Sequence, residues 1–133
     1  LSLCWMMEVQ MPKQHSPQFV ALCEHAKQSI TEISAADTKS MLESGEPFFL
    51  VDVREESEWT SGHADGALHL GKGIIERDVE GAIADFGATI VLYCGGGFRS
   101  ALAAKSLESM GYQKVFSMAG GWRSWLAEGG PTA

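Results

Sequence analysis

The sequence lacks the features that mark a disulfide-stapled, zinc-binding or membrane-spanning chain. Its three cysteines, Cys4, Cys23 and Cys94, are odd in number, widely spaced and form no C-x-x-C pair, so neither a disulfide framework nor a paired zinc site is expected. The four histidines, His15, His25, His63 and His69, supply no H-E-x-x-H or similar spacing, and no metal or other cofactor is expected. No uncharged apolar run reaches the ~18 residues that cross a bilayer. Positive charge is scarce, with 10 basic residues against 17 acidic and a net charge of −7. Broad binding to a phosphate backbone is therefore disfavoured, and neither nucleic acid nor a membrane is an expected partner. The opening Leu1 to Met7 is apolar but short and has no basic lead. It reads as a tail, not a signal peptide, and a reducing cytoplasm is the expected compartment.

What remains is an ordinary globular chain of 133 residues, 45% apolar and 20% charged, enough for one core but not two. Residues 1–15 carry no period and are expected to form a flexible tail. Ser16-Pro17 looks like a cap followed by a first helical proline, and Phe19, Leu22, Cys23, Ala26 and Ile30 follow at helical spacing. Residues 16–29 thus predict a helical extension, packed on its own domain or presented to a second copy or a partner. Cys23, on its stripe, reads as a core thiol.

After residue 30, helical and strand-like patterns alternate. Helices are predicted over Ala35–Leu42, Glu55–Ser61, within Ile74–Phe86, over Arg99–Met110 and over Trp122–Ala127. Strands are predicted at Phe48–Val53, weakly at Ala67–Leu70, at Thr89–Tyr93 and at Lys114–Ser117. Strands joined through helices require crossovers, so one α/β domain over residues 30–133 is expected, with a largely parallel sheet and helices on both faces.

Ligands of such sheets bind where strand ends enter helices. The most unusual loop there is Cys94-Gly95-Gly96-Gly97-Phe98-Arg99-Ser100, between the clearest strand and the clearest helix. Consecutive glycines are entropically expensive, but they let backbone N–H groups turn inward as an anion-binding nest at a helix N-terminus. Inward amides, the helix dipole and the Arg99 cation all favour Cys94 as a thiolate, the reactive form of cysteine. Nucleotide motifs are absent: there is no G-x-x-x-x-G-K-[ST] or complete G-x-G-x-x-G, and no G-x-S-x-G elbow.

These residues resemble the rhodanese-like sulfurtransferases. The loop is similar to that family's C-x-x-G-x-R-S. Leu50-Val-Asp52-Val-Arg54, with Glu58-Trp59-Thr-Ser-Gly62-His63-Ala-Asp-Gly66-Ala67, resembles its D-x-R and E-x-x-x-G-H-x-x-G-A blocks. Gly111-Tyr112 through Val115 and Gly120-Gly121-Trp122-Arg-Ser-Trp125 resemble its closing pattern. The blocks fall in family order over roughly residues 30–130 and leave residues 1–29 outside.

The resemblance implies a five-stranded parallel sheet and ping-pong transfer of sulfane sulfur through a Cys94 persulfide. Cys94 would attack the outer sulfur of a donor such as thiosulfate and release sulfite. Cyanide, a thiol or a protein acceptor would then collect the sulfur. The amides of Gly95, Gly96, Gly97, Phe98 and Arg99 would cradle the persulfide, Phe98 could wall the pocket, and Lys72 could steer an anionic donor. Asp52 would brace the active loop, and His63 would fix its own loop by hydrogen bonding. Arg54 and Glu58, four residues apart, could pair with each other. Ser100 could donate to the thiolate or cap the helix, and Trp122 and Trp125 read as packing residues.

The residues alone do not choose sulfur over phosphate. Phosphate-cleaving relatives use C-x₅-R, whereas four residues separate Cys94 from Arg99 here, a shorter ring that suits a single sulfur better. The runner-up from another class is a persulfide carrier serving one protein partner.

Overall fold

The computed structural model describes residues 14–133. Cys4 and residues 1–13 of the expected tail lie outside the described residues. The chain runs α1 (Pro17–Lys27), β1 (Thr31–Ile33), α2 (Ala35–Ser44), β2 (Phe49–Asp52), α3 (Glu56–Ser61), β3 (Leu68–His69), α4 (Ile75–Ala82), β4 (Thr89–Tyr93), α5 (Phe98–Ser109), β5 (Lys114–Met118) and α6 (Gly121–Ala127). All five strands are parallel, in the order β1-β5-β4-β2-β3.

Strand β4 explains the layering. Its apolar residues have nothing polar to show solvent because both faces are covered, and Ile90 to Tyr93 are all buried. Side chains alternate across a strand. Ile90 and Leu92 enter one core with Ile75 and Val79 of α4 and Ala103, Ala104 and Leu107 of α5. Val91 and Tyr93 enter the other with Ala35 of α2 and Trp125 of α6. Cys94 keeps the parity of Ile90 and Leu92, which carries its side chain to the face covered by α5.

Local signals behave as their chemistry dictates. The Ser34 hydroxyl accepts from the Asp37 amide and starts α2, and Gly45, at φ 74°, closes it. Strand β1 has no counterpart among the patterns read directly from the residues. Thr31 and Glu32 are exposed and only three residues pair, so the hydrophobic signal of a strand is missing. It exists because β5 offers it a register, Thr31 opposite Phe116 and Ile33 opposite Met118. Helix α4 stops at Ala82, short of Phe86.

Helix α1 packs against α5 of its own chain. Cys23 and Ala26 are buried and Ile30 joins the α4/α5 core, while the Lys105 ammonium donates to the Ser29 hydroxyl at 2.8 Å. Leu22, expected on the buried stripe, is 57% exposed, because the contact with α5 is narrow and centred on Cys23 and Ala26. Burial pushes the Cys23 thiol up, as for a core cysteine.

Candidate active site

The loop after β4 opens at the carboxyl edge of the sheet, where β2 and β4 are neighbours and the chain departs to opposite sides. Open parallel sheets leave a crevice at such a switch point. Cys94 is 1% exposed, and its Sγ receives the Gly97 amide at 3.1 Å and the Ser100 amide at 3.4 Å. The Ser100 hydroxyl lies 3.5 Å from the same sulfur and 2.8 Å from the hydroxyl of Ser117. A sulfur anion with two N–H donors and a hydroxyl around it is well solvated without water.

The local backbone explains this. Gly97 caps α5 at φ 95°, a conformation unfavourable for a side-chain-bearing residue. That twist directs its N–H at the preceding sulfur. Gly95 and Gly96 leave room for side chains: a Cβ on Gly95 would stand 3.2 Å from Arg99 Nη2, and one on Gly96 3.0 Å from Arg123 Nη2, so each guanidinium would have to shift slightly. Two guanidinium groups crowd the loop. Ser100 is the third residue of α5, so its hydroxyl serves the sulfur and not a cap.

Of the amides expected to form the cradle, that of Gly97 reaches Sγ, and it is joined by the Ser100 amide, which lay outside that expectation. Those of Gly95, Gly96, Phe98 and Arg99 donate to no backbone acceptor among the described residues. They form the N-terminal rim of α5, beside a cavity of about 630 Å³. Phe98 lies on one wall with Phe19 and His15. The His15 and Phe98 ring centroids are 4.7 Å apart, so a residue expected in the tail is part of the site. Trp122 and Arg123, from the start of α6, also line the cavity.

The charged residues are arranged differently from the sequence expectation. Arg54 precedes α3 instead of lying on it, and it does not pair with Glu58. Its Nε and Nη2 donate to both carboxylate oxygens of Asp52, at 2.8–3.1 Å, and its own amide donates to Asp52 Oδ1 at 2.8 Å. Arg54 Nη2 also donates to the Gly62 carbonyl at 2.6 Å, and the guanidinium lies 4.7 Å over the Trp122 ring. Burial works against the Arg54 charge, but the Asp52 carboxylate more than offsets it, and the Arg54 pKa is raised. Asp52 therefore braces Arg54, which in turn holds the cavity wall, and makes no hydrogen bond to the cysteine loop.

Glu58 instead takes Arg99, at 2.7 and 3.1 Å. The Arg99 hydrogen bond holds the Glu58 carboxyl below its usual range, against partial burial. This fork is possible only in three dimensions, since 41 residues separate the partners.

His63 lies outside the cavity wall. Its Nδ1–H donates to the Trp59 carbonyl at 3.1 Å and its ring stacks on Trp59 at 3.5 Å. Lys72 does not line the cavity either; its amide donates to the Val53 carbonyl at 2.9 Å. Ser117, Trp122 and Arg123 were missed as site residues. Ser117 carried no signal, because only the pairing of Leu92 with Ser117 brings it beside the end of β4.

Gly121 closes the assembly. At φ 53° its missing Cβ would stand 2.2 Å from the Cys94 carbonyl oxygen, and the next amide, of Trp122, donates to that oxygen at 2.7 Å. Gly121→Ala is expected to destabilise the fold by about 2–4 kcal/mol through strain and backbone overlap. The fall in urea midpoint at unchanged m-value measures it, and an unchanged midpoint would refute the contact.

The fold and site define an open parallel α/β domain with a buried cysteine in an amide-lined loop at its switch point. The rhodanese-like domain model matches residues 34–128, and the chain belongs to that family. It is 34% identical to the thiosulfate sulfurtransferase GlpE of Haemophilus influenzae (strain PittEE) over 97 residues, covering 73% of this chain and 89% of that one. It is 31% identical over 108 residues to YrkF of Bacillus subtilis (strain 168), a protein named for a sulfur-carrier role, covering 79% of this chain but spanning only 57% of YrkF. Among solved structures, a Rhodopseudomonas palustris protein of unknown function, described as a possible tyrosine phosphatase, is similar with a TM-score of 0.79 at 29% identity, covering 92% of this chain and 99% of that one. No helix among the described residues is long and apolar enough to cross a membrane.

Proposed function

We propose that the protein is a sulfurtransferase that moves sulfane sulfur from thiosulfate, or a donor like it, to a thiophilic acceptor through a persulfide on Cys94. The observation that carries this reading is the hydrogen bonding of Cys94 Sγ by the Gly97 and Ser100 amides, beside further loop amides that have no backbone acceptor among the described residues. The thiolate attacks the outer sulfur of thiosulfate. The S–S bond of the donor breaks, its electron pair leaves with sulfite, and Cys94 holds S–S⁻. Cyanide or a thiolate then attacks the terminal sulfur and regenerates the thiolate. Once Cys94 is ionised, neither step calls for a further base. With sulfur ionised, the Ser100 hydroxyl donates to it and accepts from Ser117, giving a complete order of donors. The cavity, about 630 Å³, leaves room for a larger acceptor after a small donor has departed.

Brief exposure to thiosulfate should make the intact protein heavier by one sulfur atom, and a cyanide chase should return the original mass. A wild-type protein that stays unmodified by thiosulfate yet accepts sulfur from a protein persulfide would favour the carrier reading, which the similarity to YrkF supports. Phosphate chemistry is less well supported. The arginine that would grip a phosphate dianion is already held by two hydrogen bonds from Arg99 to Glu58, and the loop is one residue shorter than a C-x₅-R ring. A homodimer through residues 16–29 would use the exposed Leu22 face of α1. Solution mass of the full chain, with and without Leu22→Glu, tests it: a dimer lost on substitution supports the interface, and a monomer removes it.

A further inference from the structure

We propose that Arg123 selects an anionic sulfur donor, as a cation at the mouth of the Cys94 cavity that no carboxylate among the described residues neutralises. The inference rests on the sulfurtransferase reading of Cys94 and adds a residue to it.

Three arginines line the cavity, and two are committed. Arg54 is locked to Asp52, with an N···O distance of 2.8 Å, and both are buried. Arg99 is gripped by Glu58 and also feels the nearby Glu55 carboxylate. Arg123 has no Asp or Glu within 4.0 Å among the described residues. Its side chain is exposed, and its guanidinium reaches back over the loop, where a Cβ on Gly96 would stand 3.0 Å from Nη2.

The lysines are poorer candidates. Lys27 sits 4.6 Å over the Phe98 ring and 3.8 Å from Glu24, and Lys72 lies off the cavity wall. The rest of the lining includes the aromatic rings of His15, Phe19 and Phe98, which pack on one another.

Such a cation is needed here because the chain carries a net charge of −7, and its average field repels a dianion. The reaction also dictates where the charge must sit. Attack on the outer sulfur brings that atom to the buried Cys94, leaving the sulfonate end directed outward. Arg123 is the exposed cation on that path. An arginine fork can hold two sulfonate oxygens at once.

The test compares alkylation of Cys94 by iodoacetate, an anion, and by iodoacetamide, its neutral near-isostere, with modification assigned by peptide mapping. At low salt, Arg123→Gln should lower the iodoacetate-to-iodoacetamide rate ratio about three- to tenfold, and Arg123→Lys should restore most of it. Glu58→Gln, which releases Arg99, should raise the ratio. With thiosulfate, Arg123→Gln should raise the concentration for half-maximal sulfur loading about tenfold or more while the maximal rate holds.

An unchanged ratio in Arg123→Gln overturns the inference, as does an equal fall with both reagents, which would mean a disturbed loop. If wild type takes no sulfur from thiosulfate, the donor assignment fails, but the alkylation ratio still decides whether Arg123 governs anion access.

Discussion

Cys94→Ser should fold normally and carry no sulfur. The substitution keeps the shape of the side chain at slightly smaller volume and leaves the Gly97 and Ser100 amides an oxygen acceptor in place of Sγ, so thermal stability should move little. Chemistry should stop. The transferred atom is held in an S–S bond that an alcohol oxygen cannot form, and a serine hydroxyl in this loop has no adjacent base to activate it. Thiocyanate production from thiosulfate and cyanide should fall by about 10³-fold or more, and thiosulfate should add no mass. Retained sulfur on Cys94→Ser would move the acceptor to Cys23 or Cys4 and undo the mechanism. Cys23 is a poor substitute, since it is fully buried on the face of α1 that packs against α5, and burial pushes its thiol up.

Asp52→Ala should be the most destabilising of the substitutions considered. Asp52 is 0% exposed and Arg54 4%, and the pair is held by three side-chain hydrogen bonds plus one from the Arg54 amide. Removing the carboxylate strands a guanidinium where water cannot reach it easily. Loss of one partner of a buried ion pair costs about 3–5 kcal/mol, against a total stability of about 5–15 kcal/mol for a domain. A fall in Tm of about 10–20 °C should follow. The double variant Asp52→Leu/Arg54→Met should recover much of the loss, because no charge is then left unpaired. If Asp52→Ala melts within a few degrees of wild type, Arg54 finds solvent elsewhere, and Asp52 does not hold it. The same variant should raise the donor concentration needed for loading, because Arg54 also positions the Trp122 side of the cavity.

Elements with a strong local signal were legible in the chain. Thr89–Tyr93 is a run that can only be buried on both sides, Ser34 and Gly45 bracket a helix by their own capping chemistry, and three glycines between a strand and a helix mark a loop where backbone amides face inward. Strand β1 was not legible from residue pattern, because its identity depends on the partner edge of β5 and not on its own side chains. Leu22 misled for the same kind of reason: helical spacing indicates which residues share a face, not how much of that face a neighbour covers.

The ion pairs divide along the same line. Spacing made Arg54 and Glu58 natural partners, but Arg54 stands before α3 and turns back to Asp52, leaving Glu58 free to reach Arg99 across 41 residues. Pairing energy depends on distance and desolvation, and neither is encoded in sequence separation when the chain crosses from β2 to the loop after β4.

The amino-acid sequence by itself determined the α/β layering, the position of the loop and the identity of its cysteine. These follow from periodicity, glycine placement and residue chemistry, all local properties. Only the tertiary structure decided which amides reach the sulfur, that Ser117 backs Ser100, that Phe19 of α1 and His15, from just before that helix, join the cavity lining, and that Arg123 stands without a carboxylate partner among the described residues. Each of those depends on where side chains from distant segments meet, and sheet register and helix packing alone set those meetings.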